Sequence, residues 1–314
     1  MFTIGKRLRQ SFLIGLLAIS AISTSGQPVQ GAESETVEFR FAPPDGVRFV
    51  QTLVTIRMRM IENIGFQHDR SESKTLVSIR RSETGYVVEA TLTSIEMTRD
   101  GKPASDPIVG LLKDSKITYH VGNDGHVKNV EGFAELSAKL HASYSPDVAK
   151  ALAPILNEQT MIAREISEWN GRIGDYAGTT ATIGSTIDGT APFTLPNGES
   201  MVFHTRTWFA GREPCRSRPC VRVHQQFDTD PDALEDQFSD VRTGPRSKML
   251  REPLTLAATH PRVSGAANRL IDPNTMLIYE EDQERAIRMR IEVPGRGPVN
   301  AIVSEDRYYR FDYE

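Results

Sequence analysis

Between Val50 and Met60 the chain alternates, with Val50, Thr52, Val54, Ile56, Met58 and Met60 on one side and Thr55, Arg57 and Arg59 on the other. A period of two sustained over this length predicts a strand with one buried and one wetted face, as in an antiparallel sheet. On this reading the even positions are interior and the arginines line the wet face. Residues 75–81 and 86–97 continue the pattern across Ser82-Glu83-Thr84-Gly85, a link short enough to predict a meander of neighbouring strands. Ile287, Met289, Ile291 and Val293 later alternate with Arg288, Arg290 and Glu292. The last segment carries aromatic residues on both sides at Tyr308, Tyr309, Phe311 and Tyr313, which predicts a strand covered on both faces or set in the middle of the sheet.

Helical periodicity is confined to fewer places. The longest stretch runs from Ser145 to Gly171, with Ser145 as cap, Pro146 at the first helical position and Asn170-Gly171 as stop. Leu152, Ile155, Leu156, Ile162, Ile166 and Trp169 recur every three or four residues, so one stripe must lie against the sheet. A shorter helix with Phe133, Leu136 and Leu140 on one face follows the hairpin signal Gly122-Asn123-Asp124-Gly125. A further helix is expected after Asp230-Pro231, with Leu234, Phe238 and Val241 on one side and a stop near Gly244-Pro245. Pro196-Asn197-Gly198 introduces another β segment, and 221–227 returns from it. The pattern predicts an α+β fold in which long antiparallel strands form a curved sheet or half-barrel around a helical pair. Residues 33–175 hold the first sheet and the pair; residues 176–314 form a second β-rich part, read as continuous with the first.

The N terminus modifies this picture. Lys6, Arg7 and Arg9 precede an apolar run from Phe12 to Ile22 and then small and polar residues, the order of a secretory signal peptide, with cleavage expected after Ala32. The whole chain has 37 basic and 41 acidic residues; without residues 1–32, which hold three basic and no acidic ones, 34 face 41, a net charge of −7. Such a balance argues against nucleic-acid binding. The mature protein is expected to be secreted or periplasmic, with no membrane span after cleavage. In that oxidising setting Cys215 and Cys220, the only cysteines, are expected to pair across a loop tip. Were they directly opposite in a β ribbon, Trp208 would fall opposite Phe227.

Catalytic constellations are sparse. Nucleophile-elbow, phosphate-loop and zinc-helix motifs are missing from the sequence, which points to no metal and no cofactor. Ser71-x-x-Lys74 matches a nucleophile pair only formally, and His120 and His126 sit on opposite arms of the Asp-Gly hairpin as ordinary surface histidines. Arg212, Arg216, Arg218 and Arg222 surround the cysteine loop and form a candidate patch for an anion or a partner. Met58, Met60, Ile162, Ile166 and Met289 are the candidate lining of an apolar pocket.

Taken together, the signal-like start, the strand meander, the hairpin running through Val127-Lys128-Asn129-Val130-Glu131-Gly132 into helices, and the second β-rich part resemble secreted bacterial proteins of uncharacterised families. In outline they also resemble periplasmic lipoprotein carriers and sigma-factor regulators, whose open half-barrels surround helices. The resemblance is architectural and carries over no functional residue. It implies a non-enzymatic protein binding a lipid, an amphiphile or a lipidated partner in a sheet-helix concavity. Two other readings stand beside it: a structural or regulatory module contacting an envelope protein, and a hydrolase with a dispersed site.

Overall fold

The computed structural model describes residues 35–104, 112–143, 157–194, 200–216, 218–230, 262–293 and 297–314. The expected signal peptide, the helix expected after Asp230, the Pro196-Asn197-Gly198 turn and the first part of the helix expected from Ser145 lie outside the described residues. Along the chain come β1 (Thr36–Glu38), β2 (Val47–Ile61), β3 (Gly65–Ser82), β4 (Gly85–Arg99), β5 (Lys102–Pro103), β6 (Lys116–Gly122) and β7 (Val127–Glu131). Two helices follow, α1 (Phe133–Ser143) and α2 (Glu158–Trp169), the second running on as a π turn over Asn170–Gly174. The rest is β8 (Thr180–Thr182), β9 (Thr186–Thr194), β10 (Ser200–Cys215), β11 (Arg218–Asp228), β12 (Arg262–Ile271), β13 (Ile278–Val293) and β14 (Gly297–Tyr313). The fold is therefore predominantly β rather than α+β: among the described residues the helices are two short elements against one large antiparallel sheet.

That sheet has the order β7-β6-β4-β3-β2-β14-β13-β12-β11-β10-β9, with β5 added to β4 and β1 pairing with β8 outside it. Its edges, β7 and β9, do not meet, so it stays open. The C-terminal strand lies at its centre, between the first long strand and β13. Curvature follows from two contacts. The rings of Phe39 and Phe41, two residues apart, touch Phe209 on β10 at 5.6 Å and Tyr86 on β4 at 5.1 Å. Those strands are seven places apart in the order, about 34 Å in a flat sheet. The sheet must curl so that both reach one short segment, and Val37, Phe39 and Phe41 are accordingly buried as a plug on its inner side.

The core fills one end of this curl. Phe49, Val77, Ile79, Tyr86, Val88, Phe209, Val221, Val223, Ile271, Tyr309 and Phe311 form its floor, and Met161, Ile162, Ile166, Trp169 and Ile173 cover it. Phe49 and Leu53 decide which side of β2 faces inward, because Phe49 packs on Phe311 and Tyr313 at 6.0 and 4.8 Å. With a period of two, Arg57 and Arg59 share that inner side while Val54, Ile56, Met58 and Met60 lie on the outer one. The facing expected from the sequence is reversed: the strand is apolar on opposite faces at its two ends, and the buried aromatic end prevails.

Asn157 starts α2. It is extended (φ −72°, ψ 149°), and its side-chain Oδ1 accepts the Thr160 N–H at 2.8 Å, so the helix begins here and not in an unbroken run from Ser145. The α-helix ends at Trp169 with Asn170 as its C-cap, as the sequence predicts, but the backbone stays helical beyond it. The turn widens, and the Asn170 Oδ1 accepts the Val127 N–H at 3.1 Å, tying the π turn to β7.

The Asp-Gly hairpin is docked beneath this helix. Gly125 has φ +77°, its carbonyl accepts the Trp169 indole N–H at 2.9 Å, and a Cβ there would lie 2.7 Å from that of Ala177 and 3.0 Å from that of Phe41. Gly125→Ala is expected to cost about 2–4 kcal/mol through left-handed strain and overpacking. Urea unfolding would show it as a lower midpoint with unchanged slope.

Cys215 and Cys220 form a disulfide, but the ribbon around them closes two residues tighter than Cys-opposite-Cys pairing implies. A two-residue turn pairs Cys215 with Arg218 and Glu213 with Cys220, and a further shift follows between Phe209 and Gly211. Trp208 therefore stacks on His224 at 5.2 Å, and Phe227 falls opposite Thr205.

Candidate functional site

Helix α2 buries two adjacent stripes. Ile162, Ile166, Trp169 and Ile173 form the apolar one that periodicity predicts. One residue earlier on each turn, Glu165, Glu168 and Arg172 form a charged stripe that also meets the sheet. The Tyr119 hydroxyl on β6 donates to Glu165 at 2.9 Å, whose carboxyl burial and the neighbouring Glu168 push above the ordinary range. Arg172 reaches β13, where its guanidinium donates to Glu281 and lies 4.7 Å from the Tyr309 ring centre.

Glu281 is wholly buried and is shared by a second buried guanidinium, since Arg269 on β12 donates to it at 2.7 Å and Gln283 at 2.6 Å. Arg269 also donates to Gln225 on β11 at 3.2 Å. Burial alone would raise the Glu281 pKa, yet Arg172 and Arg269 outweigh it and hold the carboxyl down at about 2.

A second carboxylate stands further along the inner face. Glu305 on β14, 4% exposed, receives Arg57 from β2 at 2.5 Å, Arg307 at 2.8 Å and Arg285 from β13 at 3.1 Å. Burial opposes its charge, but these guanidiniums keep its pKa near 2. Arg307 also bridges to Glu168 of the helix at 3.2 Å. On Arg285 burial acts first, and together with Arg307 and Arg57 beside it leaves the pKa below the usual arginine value despite Glu305.

Beyond this charged belt the inner face turns apolar. Ile287 pairs with Val303, Met289 with Ala301 and Ile291 with Val299, while Val263 extends the band onto β12 and Ile61 onto β2. Phe227 lies over Gly265, where a Cβ would come within 2.3 Å of its ring, and meets Phe203 at 5.3 Å. None of these residues belongs to the main core cluster, but Val263, Val299 and Ala301 are buried, and Ile287, Met289, Ile291 and Val303 are half-buried. Met289 stands eight residues past Glu281, about 26 Å at strand rise, and so well beyond the belt the helix touches. The described part of the concave face thus has three zones: a filled core, a belt of alternating charge, and an apolar band toward the far strand ends.

The residues singled out from sequence distribute unevenly over these zones. Met289 lies in the apolar band; Ile162 and Ile166 pack on the core; Met58 and Met60 are on the opposite side of the sheet. The four loop arginines are partnered: Arg212 with Glu35, Arg216 with the Tyr313 carbonyl and ring, Arg218 with Asp272, and Arg222 with Glu213 and Glu280. Ser71 and Lys74 fall on opposite faces of β3, His120 bonds Glu131, and His126 bonds the backbone carbonyl of Asp124. Among the described residues no three His, Cys, Asp or Glu side chains group as a metal site requires, and no helix is long and apolar enough to cross a membrane. A shallow groove on the outer face at Arg48, Arg80, Glu89 and Lys116 is already internally paired through Glu89. Sequence reasoning missed the belt itself, whose members are spread from Arg57 to Arg307.

The sequence matches no protein-family model, and no curated protein sequence matches it. Among solved structures the chain is similar to lipovitellin, at TM-score 0.42 and 10% identity over 86% of this chain, spanning 26% of that longer one. It is also similar to DynF of the dynemicin biosynthesis pathway of Micromonospora chersina (TM-score 0.21, 10% identity, 91% of this chain and 92% of that). A third likeness is to a protein with a YmcC-like fold from Bacteroides fragilis (TM-score 0.23, 9% identity, 88% and 99%). These values are too low for any of the three to inform the reading of this chain.

Proposed function

We propose that this is a non-enzymatic protein of the extracytoplasmic space that binds an amphiphilic molecule, a lipid or the lipid of an acylated partner, on the concave face of its sheet. One observation carries the reading: the half-buried side chains of Ile287, Met289, Ile291 and Val303 face inward, outside the main core cluster and beyond the belt that the helix contacts. An apolar surface of this breadth on the hollow side of a curved sheet has the character of a ligand site. The disulfide and the signal-like N terminus support placement in an oxidising compartment.

Native mass spectrometry with lipid extraction, on protein secreted by its own host and purified without detergent, tests this directly. Bound lipid is expected, and Met289→Glu on the inner face should abolish it while Arg290→Ala, on the outer face of the same strand, retains it. A clean apo mass with no uptake of offered lipids would overturn the proposal and move the weight to a protein-interaction role.

A further inference from the structure

The belt and the band adjoin, and their junction is not electrically balanced. Three guanidiniums, those of Arg57, Arg285 and Arg307, converge on the single carboxylate of Glu305. Among the described residues only Arg307 of the three makes an ion pair with a second carboxylate, Glu168. Nearer the helix, Arg172 and Arg269 likewise share one carboxylate, Glu281. At the junction with the band, three guanidiniums thus face two carboxylates, Glu305 and Glu168, a surplus of one positive charge. The surplus sits where it can be reached, because the side chains of Arg57 and Arg285 are 42% and 44% exposed whereas Glu305 beneath them is 4% exposed. Two residues along the same strands, on the same face, Ile287 and Val303 begin the apolar band.

From this arrangement we infer that the ligand is an anionic amphiphile, an acyl chain bearing one acidic headgroup, bound with its headgroup between Arg57 and Arg285 and its chain running along Ile287, Met289 and Val303 of β13 and β14. The inference rests on the amphiphile reading above and gives it a charge and a direction. A planar or tetrahedral oxyanion accepts charge-assisted bonds from two guanidinium forks at once, roughly twice as strong as those a neutral hydroxyl accepts. Burial first, and then the like charges of Arg307 and Arg57, hold Arg285 below its ordinary pKa, and an anion between the guanidiniums would offset both. The opposite orientation would set the acid against the apolar band and leave the cations unanswered.

Titration of the full-length secreted protein with laurate, 1-dodecanol and acetate separates the possibilities. Laurate is expected to bind at least tenfold more tightly than the alcohol, with acetate not measurably bound. Arg57→Gln/Arg285→Gln should remove that preference while leaving dodecanol affinity within about twofold, and Arg285→Lys in the otherwise native chain should keep most of it. Equal affinity for laurate and dodecanol would overturn the headgroup assignment and leave the amphiphile reading standing. Binding of neither would overturn both. Acetate binding as tightly as laurate would also overturn the inference, by showing an anion site in which the chain has no part. The circular dichroism spectrum and unfolding midpoint of each variant would distinguish lost binding from lost fold.

Discussion

Replacing Glu281 by glutamine is expected to lower the unfolding free energy by about 3–5 kcal/mol, because it strands two buried guanidiniums beside one another. Arg172 and Arg269 both direct their donors at this carboxylate, which has no exposure of its own through which water could take over. Removing all three charges should be far milder than removing one. The triple change R172M/R269M/E281L substitutes apolar groups of similar reach, and such exchanges are often neutral or better. Urea unfolding at neutral pH measures both variants. A loss under about 1 kcal/mol for Glu281→Gln would mean that water or neighbouring side chains already satisfy the arginines.

Acid should unfold the protein through the same pair of carboxylates. Glu281 and Glu305 have folded pKa values near 2 against an unfolded value of 4.5. Each binds its proton more weakly when folded, so its stabilising contribution is complete above about pH 4.5 and disappears as the pH falls toward 2. The size is on the order of 3 kcal/mol for each group. Glu165 acts in the opposite sense: its raised pKa means that its ionised form costs stability above its unfolded pKa, and acid relieves that cost. Unfolding free energies at pH 7, 4.5 and 2.5 should therefore be similar at the first two and several kcal/mol lower at the third. Glu281→Gln should show roughly half of the fall. Stability unchanged between pH 4.5 and 2.5 would refute this assignment of the acid-sensitive groups.

Much of the scaffold is legible in the sequence because it rests on local signals. Alternation marks β2 and β13, Asp124-Gly125 marks its hairpin, and the mixed aromatic faces of residues 308–313 suit a strand at the centre of the sheet. Alternation says that two faces differ without saying which is inside. On β2 that choice turned on Phe49 and Leu53, and the inner face becomes polar exactly where Arg57 and Arg59 enter the belt, so the apolar methionines pointed the wrong way. The belt was hidden for a different reason. Arg57 and Glu305 are 248 residues apart, Arg172 and Glu281 are 109 apart, and nothing short of the strand register brings them together. One sign was available in sequence: Glu305 and Arg307 continue the same side of β14 as Tyr309, Phe311 and Tyr313, charge embedded in line with core aromatics.

The place of β14 between β13 and β2 also bears on how the protein matures. Its pairing with β2 joins segments far apart in the chain, as Arg57 and Glu305 are 248 residues apart, so the middle of the sheet cannot close until β14 is available. Loop closure over such a span is entropically costly and delays long-range pairing, which predisposes to slow, late and cooperative folding. Until β14 is available, β2 and β13 lack the neighbour that joins them, and the charged belt that Glu305 and Arg307 complete cannot assemble.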